Sequence, residues 1–215
     1  MKLYQYKNFL KDLLFPVSCL GCSEGGVYLC DKCIETIPRY NDTFVDWLDG
    51  NQLDRVVIAA DYNNKTLQYA IHSFKYKFLE EIGERLGELF SGSKIKEFRG
   101  YLLVPIPLHQ KRLKWREFNQ SQVLGETLCK KYGLKADYNV LVRQKNITAQ
   151  MKLKRRDRLK NVHGAFAIKN EQVIKGKNIL LVDDVITTSA TLNEAAIVLK
   201  KAGAKRVVGL VLAHG

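Results

Sequence analysis

The sequence has no apolar run long enough to cross a membrane. Its first residues, MKLYQYKNFLKDLLFPVSC, also lack the uninterrupted apolar core of a secretory leader, because Lys7, Lys11 and Asp12 break it up. A cytoplasmic protein with no membrane insertion is the expectation. There is no internal repeat and no low-complexity tract, which excludes solenoids and compositionally biased linkers. Acidic residues are scarce in one half only. Residues 101–215 hold 8 Asp/Glu against 22 Lys/Arg, a net +14, whereas residues 1–100 are nearly balanced at −1. The second half therefore suits an anionic partner: nucleic acid, a phosphorylated small molecule or an acidic membrane surface.

What is present fits one medium domain with a small appendage, in 215 residues and 24.6 kDa. Four of the five cysteines lie in CLGCSEGGVYLCDKC. Cys19 and Cys22 form one C-x2-C pair, Cys30 and Cys33 another, with seven residues between the pairs. Each such turn presents two thiolates to one tetrahedral metal, and two turns close a four-cysteine zinc site. The short spacer implies a compact pair of knuckles. Two disulfides are the alternative and require an oxidising compartment. No activating base stands nearby, so a filled site is structural. Cys129, alone in a helical stretch, reads as a small core residue.

Strand and helix alternate along the rest. RVVIAADY (55–62), YLLVPIP (101–107), YNVLVRQ (138–144), AFAI (165–168), GKNILLVDD (176–184) and KRVVGLVLAHG (205–215) read as strands. Residues 65–92 carry helical apolar spacing through Leu67, Ala70, Ile71, Phe74 and Phe78, then Ile82, Leu86 and Leu89, with Gly92 as a stop. Residues 119–133 and 191–204 are further helices. Nearly all-apolar strands alternating with helices imply an α/β fold with a mainly parallel sheet covered on both faces. The expected division is residues 1–45 as a zinc-binding element with a leading helix and 46–215 as the main domain.

NILLVDDVITTSAT (178–191) holds the densest chemical signal. A greasy strand cannot easily bury two adjacent carboxylates, so Asp183 and Asp184 should project at its carboxyl end, where ligands of open α/β sheets bind. There they suit sugar hydroxyls or a nearby divalent cation. The following loop opens a helix, whose N-terminal N–H groups favour phosphate. Thr187, Thr188, Ser189 and Thr191 add hydroxyls, and Ala190 leaves the backbone approachable. The pair of features suggests a ribose 5-phosphate ligand. A plain capped helix start is the simpler alternative.

ILLVDDVITTSAT (179–191) resembles the phosphoribosyl-pyrophosphate (PRPP) motif of type I phosphoribosyltransferases. With the cysteines, HSFKYKF (72–78), VPIPLHQKRLKWREFNQS (104–121) and ITAQMKLKRRDRLKNVHGAF (147–166), nearly the whole chain is similar to the competence protein F (ComF, ComFC-like) family. The PRPP motif usually has glycine where this chain has Ser189, and the ComF family usually has glycine where this chain has Glu117. The resemblance implies a type I phosphoribosyltransferase fold behind a zinc element, acting on PRPP with Mg²⁺ and releasing pyrophosphate. It implies catalytic roles for Asp183 and Asp184, 5-phosphate binding by 187–191, and a pyrophosphate loop of Pro107, Leu108, His109 and Arg112. Lys154, Arg155, Arg156 and Arg158 would lie on a mobile loop or contact DNA. Lys75 and Tyr76 are candidates for contact with the acceptor base or the hood. A link to natural competence and DNA uptake follows from the family name. The alternative is a non-catalytic module for single-stranded DNA or for competence and replication-restart proteins.

Overall fold

Aliphatic runs without alternation are satisfied only by burial on both faces, and most such runs here become parallel strands. The computed structural model describes residues 16–40, 52–76, 81–90, 92–145 and 162–215. Among these, the strands are β1 (Arg55–Asp61), β2 (Leu102–Pro105), β3 (Lys135–Ala136), β4 (Leu141–Arg143), β5 (Phe166–Ile168), β6 (Asn178–Ile186) and β7 (Arg206–His214). The helices are α1 (Asp31–Glu35), α2 (Lys65–Tyr76), α3 (Glu81–Gly87), α4 (Gly92–Lys96), α5 (Gln110–Arg116), α6 (Gln120–Tyr132) and α7 (Ala190–Lys201). None of them is long and apolar enough to cross a membrane.

The main sheet has the order β1-β7-β6-β2-β3, with every neighbouring pair parallel. One face is covered by α2, α3 and α6, through Leu67, Phe74, Ile82 and Leu124 packed on Val57, Leu180, Val182 and Leu210. The other takes Leu192, Ala195 and Leu199 of α7 against Val56, Ile179 and Leu181. This is the type I phosphoribosyltransferase-like architecture, a mainly parallel sheet flanked by helices. Helices α3 and α6 pack closely, because a Cβ at Gly83 would meet Val123 at 2.5 Å.

The cysteine segment is welded to this core. Leu29, Ile34 and Ile37 are fully buried in the same apolar cluster as Leu67 and Phe74. Asp61 N–H donates to Pro38 O (3.0 Å) and Tyr40 N–H to Ala59 O (2.9 Å), so residues 38–40 line the outer edge of β1. Arg85 of α3 donates to Leu29 O at 3.0 Å and pairs with Asp31 and Glu88.

Several expectations change in detail. Within 65–92 the described residues form α2 and α3, with residues 77–80 between them outside the described residues, and Gly92 lies in α4 rather than ending a helix. Strands β4 and β5 leave the main sheet and pair antiparallel with each other. β6 runs two residues beyond the carboxylates, to Ile186, because β7 continues beside it as far as His214. The leading helix expected in 1–15, Phe78, and the basic residues Lys154, Arg155, Arg156 and Arg158 lie outside the described residues.

Candidate functional site

Two clusters concentrate the chemistry. In the first, the Sγ atoms of Cys19, Cys22, Cys30 and Cys33 lie within 4.8 Å of one another, and Cys22 and Cys30 approach to 3.6 Å. The four cysteines are positioned to hold one metal ion. A Cβ at Gly21 would meet Cys33 Sγ at 2.6 Å, so glycine alone lets the first knuckle close on the second. Cys30 N–H and Gly21 N–H donate to Cys19 Sγ at 3.4 and 3.5 Å. Burial by itself would raise the Cys19 thiol, but these N–H groups bring it down to about 6. Burial and the neighbouring thiols of Cys22 and Cys30 push Cys33 far up. Four sulfurs this close repel a second negative charge, and a cation among them removes that conflict.

The second cluster lies at the carboxyl end of β6. Asp183 Oδ1 accepts from Ser121 Oγ at 2.8 Å, at the start of α6. Asp184 Oδ1 is 2.9 Å from Lys75 Nζ, on the last turn of α2. The strand's alternation therefore gives the two carboxylates different surroundings. Asp184 is only 8% exposed and sits beneath Lys75 rather than projecting into solvent. Asp183 keeps some solvent contact yet lies deep among protein atoms. Burial, then the Asp184 charge, push it up to about 7, against the Ser121 hydrogen bond and the Lys75 charge. Lys75 is raised despite its burial, because Asp184 holds its proton.

Asp183 also lines a small hollow with Thr187, Thr188, Ser189, Ala190 and Thr191. So the carboxylate and the loop at the start of α7 share one concavity. Ser189 caps α7 from the left-handed region, at φ +52° and ψ −8°. Its hydroxyl donates to Thr188 O at 2.7 Å and makes no cap bond. A larger groove between α3 and α6 carries Glu81, Glu84, Glu88 and Glu126 and stays net acidic despite Lys130 and Lys131. Those charges repel a phosphorylated ligand, so the smaller hollow is the better site.

Pro107, Leu108 and His109 follow β2 and are half-buried. The His109 ring caps α5 by accepting from Lys111 N–H at 3.2 Å. Asn119 caps α6 through Ser121 N–H and donates to Ile106 O at 3.0 Å, tying that loop to the helix that orients Asp183. Around these gather guanidinium groups. Burial and the charge of Arg116 lower the pKa of Arg112. Burial and the charge of Arg112 lower Arg143, partly offset by Asp183. The Nε atoms of Arg116 and Arg143 are buried without a hydrogen-bond partner. Like charges held together in this way are relieved by a polyanion.

The sequence reading named Asp183, Asp184, the 187–191 loop, Arg112 and Lys75, and the fold brings them to one end of the sheet. It missed Ser121, Arg116 and Arg143. Ser121 left no signal, since a serine at a helix start is ordinary. Arg143 was unreadable because β4 lies off the main sheet. Glu117, expected to be glycine by resemblance, ends α5 at φ +66°.

The family profile of the phosphoribosyl transferase domain matches residues 108–214. "Competence protein F" of Haemophilus influenzae is 34% identical over 187 residues, covering 83% of this chain and 75% of the relative. "DNA utilization protein YhgH" of Escherichia coli K12 is 30% identical over 184 residues, covering 83% and 74%. Among solved structures, the glutamine PRPP amidotransferase of B. subtilis aligns over 65% of this chain and 26% of that one, at 17% identity and a TM-score of 0.37.

Proposed function

The chain belongs to the competence protein F family, and on that premise we propose that it binds PRPP and transfers its ribose 5-phosphate group with release of pyrophosphate. The observation that carries this reading is the shared hollow of Asp183 and the 187–191 loop, with Arg112, Arg116 and Arg143 gathered nearby. In this reading Asp183 and Asp184 accept hydrogen bonds from the ribose 2- and 3-hydroxyls. The loop N–H groups and hydroxyls of Thr187, Thr188, Ser189 and Thr191 hold the 5-phosphate, with Ala190 leaving space. Pro107, Leu108, His109 and Arg112 flank the pyrophosphate, whose leaving charge Arg112 and Arg143 offset. The carboxylates face the positive charge that develops at C1 as the bond to pyrophosphate stretches.

Hard oxygen donors at this mouth fit Mg²⁺, which when bound with PRPP supplies further neutralisation of the pyrophosphate. Lys75 is engaged with Asp184, so its role is to hold that carboxylate rather than to contact a base. The four thiols fit a structural Zn²⁺ and leave no open coordination position. We divide the chain, as the sequence suggested, into a metal element over 1–45 and a phosphoribosyltransferase-like domain over 46–215. Calorimetry with PRPP and Mg²⁺, followed by pyrophosphate release with candidate acceptors, tests the reading.

A second reading is a non-catalytic module on the same fold that handles single-stranded DNA. Its support is the left-handed backbone at Ser189, which strains the phosphate loop, together with the +14 charge of residues 101–215 and the names of the relatives. DNA affinity that falls steeply with salt, without PRPP binding, selects it.

A further inference from the structure

Helix α5 is seven residues long and carries four cations and no acid: QKRLKWR. Helical spacing divides them. Arg112 and Arg116, four apart, turn inward. Arg116 lies over the Tyr76 ring at 5.3 Å and donates to Gln120 at 2.9 Å. Arg112 is half-buried and feels the charge of Arg116. Lys111, Lys114 and Trp115, at i, i+3 and i+4, share the opposite, exposed face. Trp115 is 54% exposed, and Tyr76 meets it edge-on at 6.0 Å between ring centroids. The inner face completes the site described above. The outer face has no part in it.

An exposed indole between two lysines on one helical face matches the two things a single strand offers, unstacked bases and a phosphate backbone. A duplex hides its base faces, and a free base leaves the lysines without counter-charge. We propose that the outer face of α5, Lys111, Lys114 and Trp115 buttressed by Tyr76, is a contact strip for single-stranded nucleic acid. A base stacks on Trp115 and the lysines pair with flanking phosphates. The strip rests on the nucleic-acid reading above and locates a surface for it within the described residues. It also abuts the candidate ribose site, since Tyr76 follows Lys75, which holds Asp184.

The experiment is anisotropy titration of the full zinc-loaded chain with a labelled oligothymidylate, and with a duplex of equal length, over a range of salt. Trp115→Ala weakens single-strand binding by about tenfold, while Trp115→Phe retains most of it. Lys111→Gln with Lys114→Gln flattens the log–log salt slope by about 1.4, at about 0.7 per phosphate contact. Wild-type binding that these variants leave unchanged overturns the strip and keeps the nucleic-acid reading. No wild-type binding even at low salt removes that reading, and the strip with it. Thymidine monophosphate binding at Trp115 as tightly as the oligomer also overturns the strip, making it an acceptor pocket.

Discussion

Ser189 and Glu117 stand at φ +52° and +66°, where the Cβ of an L-residue crowds the carbonyl. Both are positions at which the resemblance led to the expectation of glycine. At both positions the dihedrals show the left-handed backbone that favours glycine, held here by a serine and a glutamate. Each side chain costs about 1 kcal/mol, after allowing for glycine's greater freedom when unfolded. Glu117→Gly is therefore expected to stabilise the protein by about 1 kcal/mol in denaturant unfolding, and an unchanged or lower midpoint would contradict the account. Ser189→Gly should stabilise comparably and also tighten PRPP binding, since the loop then reaches its phosphate geometry without strain.

Asp183 gives a pH prediction. Its carboxyl is raised from the ordinary 3.8 to about 7, so the folded chain holds that proton more tightly than the unfolded chain. The stability it contributes is full below about 3.8 and is lost as pH rises through about 7. Asp183→Asn, which still accepts from Ser121, should gain stability over the wild type progressively between those pH values, then hold a constant gain. Thermal unfolding across pH reads this, and a gain that shrinks with rising pH contradicts it. The same substitution should abolish PRPP binding, the stability–function opposition expected of a carboxylate kept for a ligand.

Among elements, the metal knuckles and α6 matter most. Leu29, Ile34 and Ile37 enter the main core from the cysteine segment, so removing the metal should loosen more than an appendage. Chelation, or Cys33→Ser, is expected to lower the midpoint of one unfolding transition that includes the sheet, with about one zinc per native chain. A stripped protein that melts unchanged refutes this coupling. α6 orients Asp183 through Ser121. Ser121→Ala removes one hydrogen bond to a buried carboxylate and should weaken PRPP binding about tenfold, without unfolding the chain. The strand and the helix over 119–133 were legible, because hydrophobic period is a local signal. The burial of Asp184 beneath Lys75 was not, because it depends on where α2 lies relative to β6.

At the scale of the whole molecule, the doubly covered parallel sheet followed directly from its unalternated aliphatic strands. The charge asymmetry also found a structural form. Arg112 lies within the charge field of Arg116 and Arg143 within that of Arg112 and Asp183, while Lys111 and Lys114 lie on the outside of α5. On the proposals above these two cationic surfaces take different anions, and they should separate experimentally by salt, steep for a nucleic-acid strand and shallow for a chelated small molecule. The measurement that bears most directly on the central claim is calorimetric titration of the zinc-loaded protein with PRPP and Mg²⁺, beside Asp183→Asn/Asp184→Asn. Saturable binding of about one PRPP per chain, lost in the double variant and lost without Mg²⁺, is the predicted result. A folded wild type that takes up no PRPP, or binds it equally with both carboxylates neutralised, contradicts the claim.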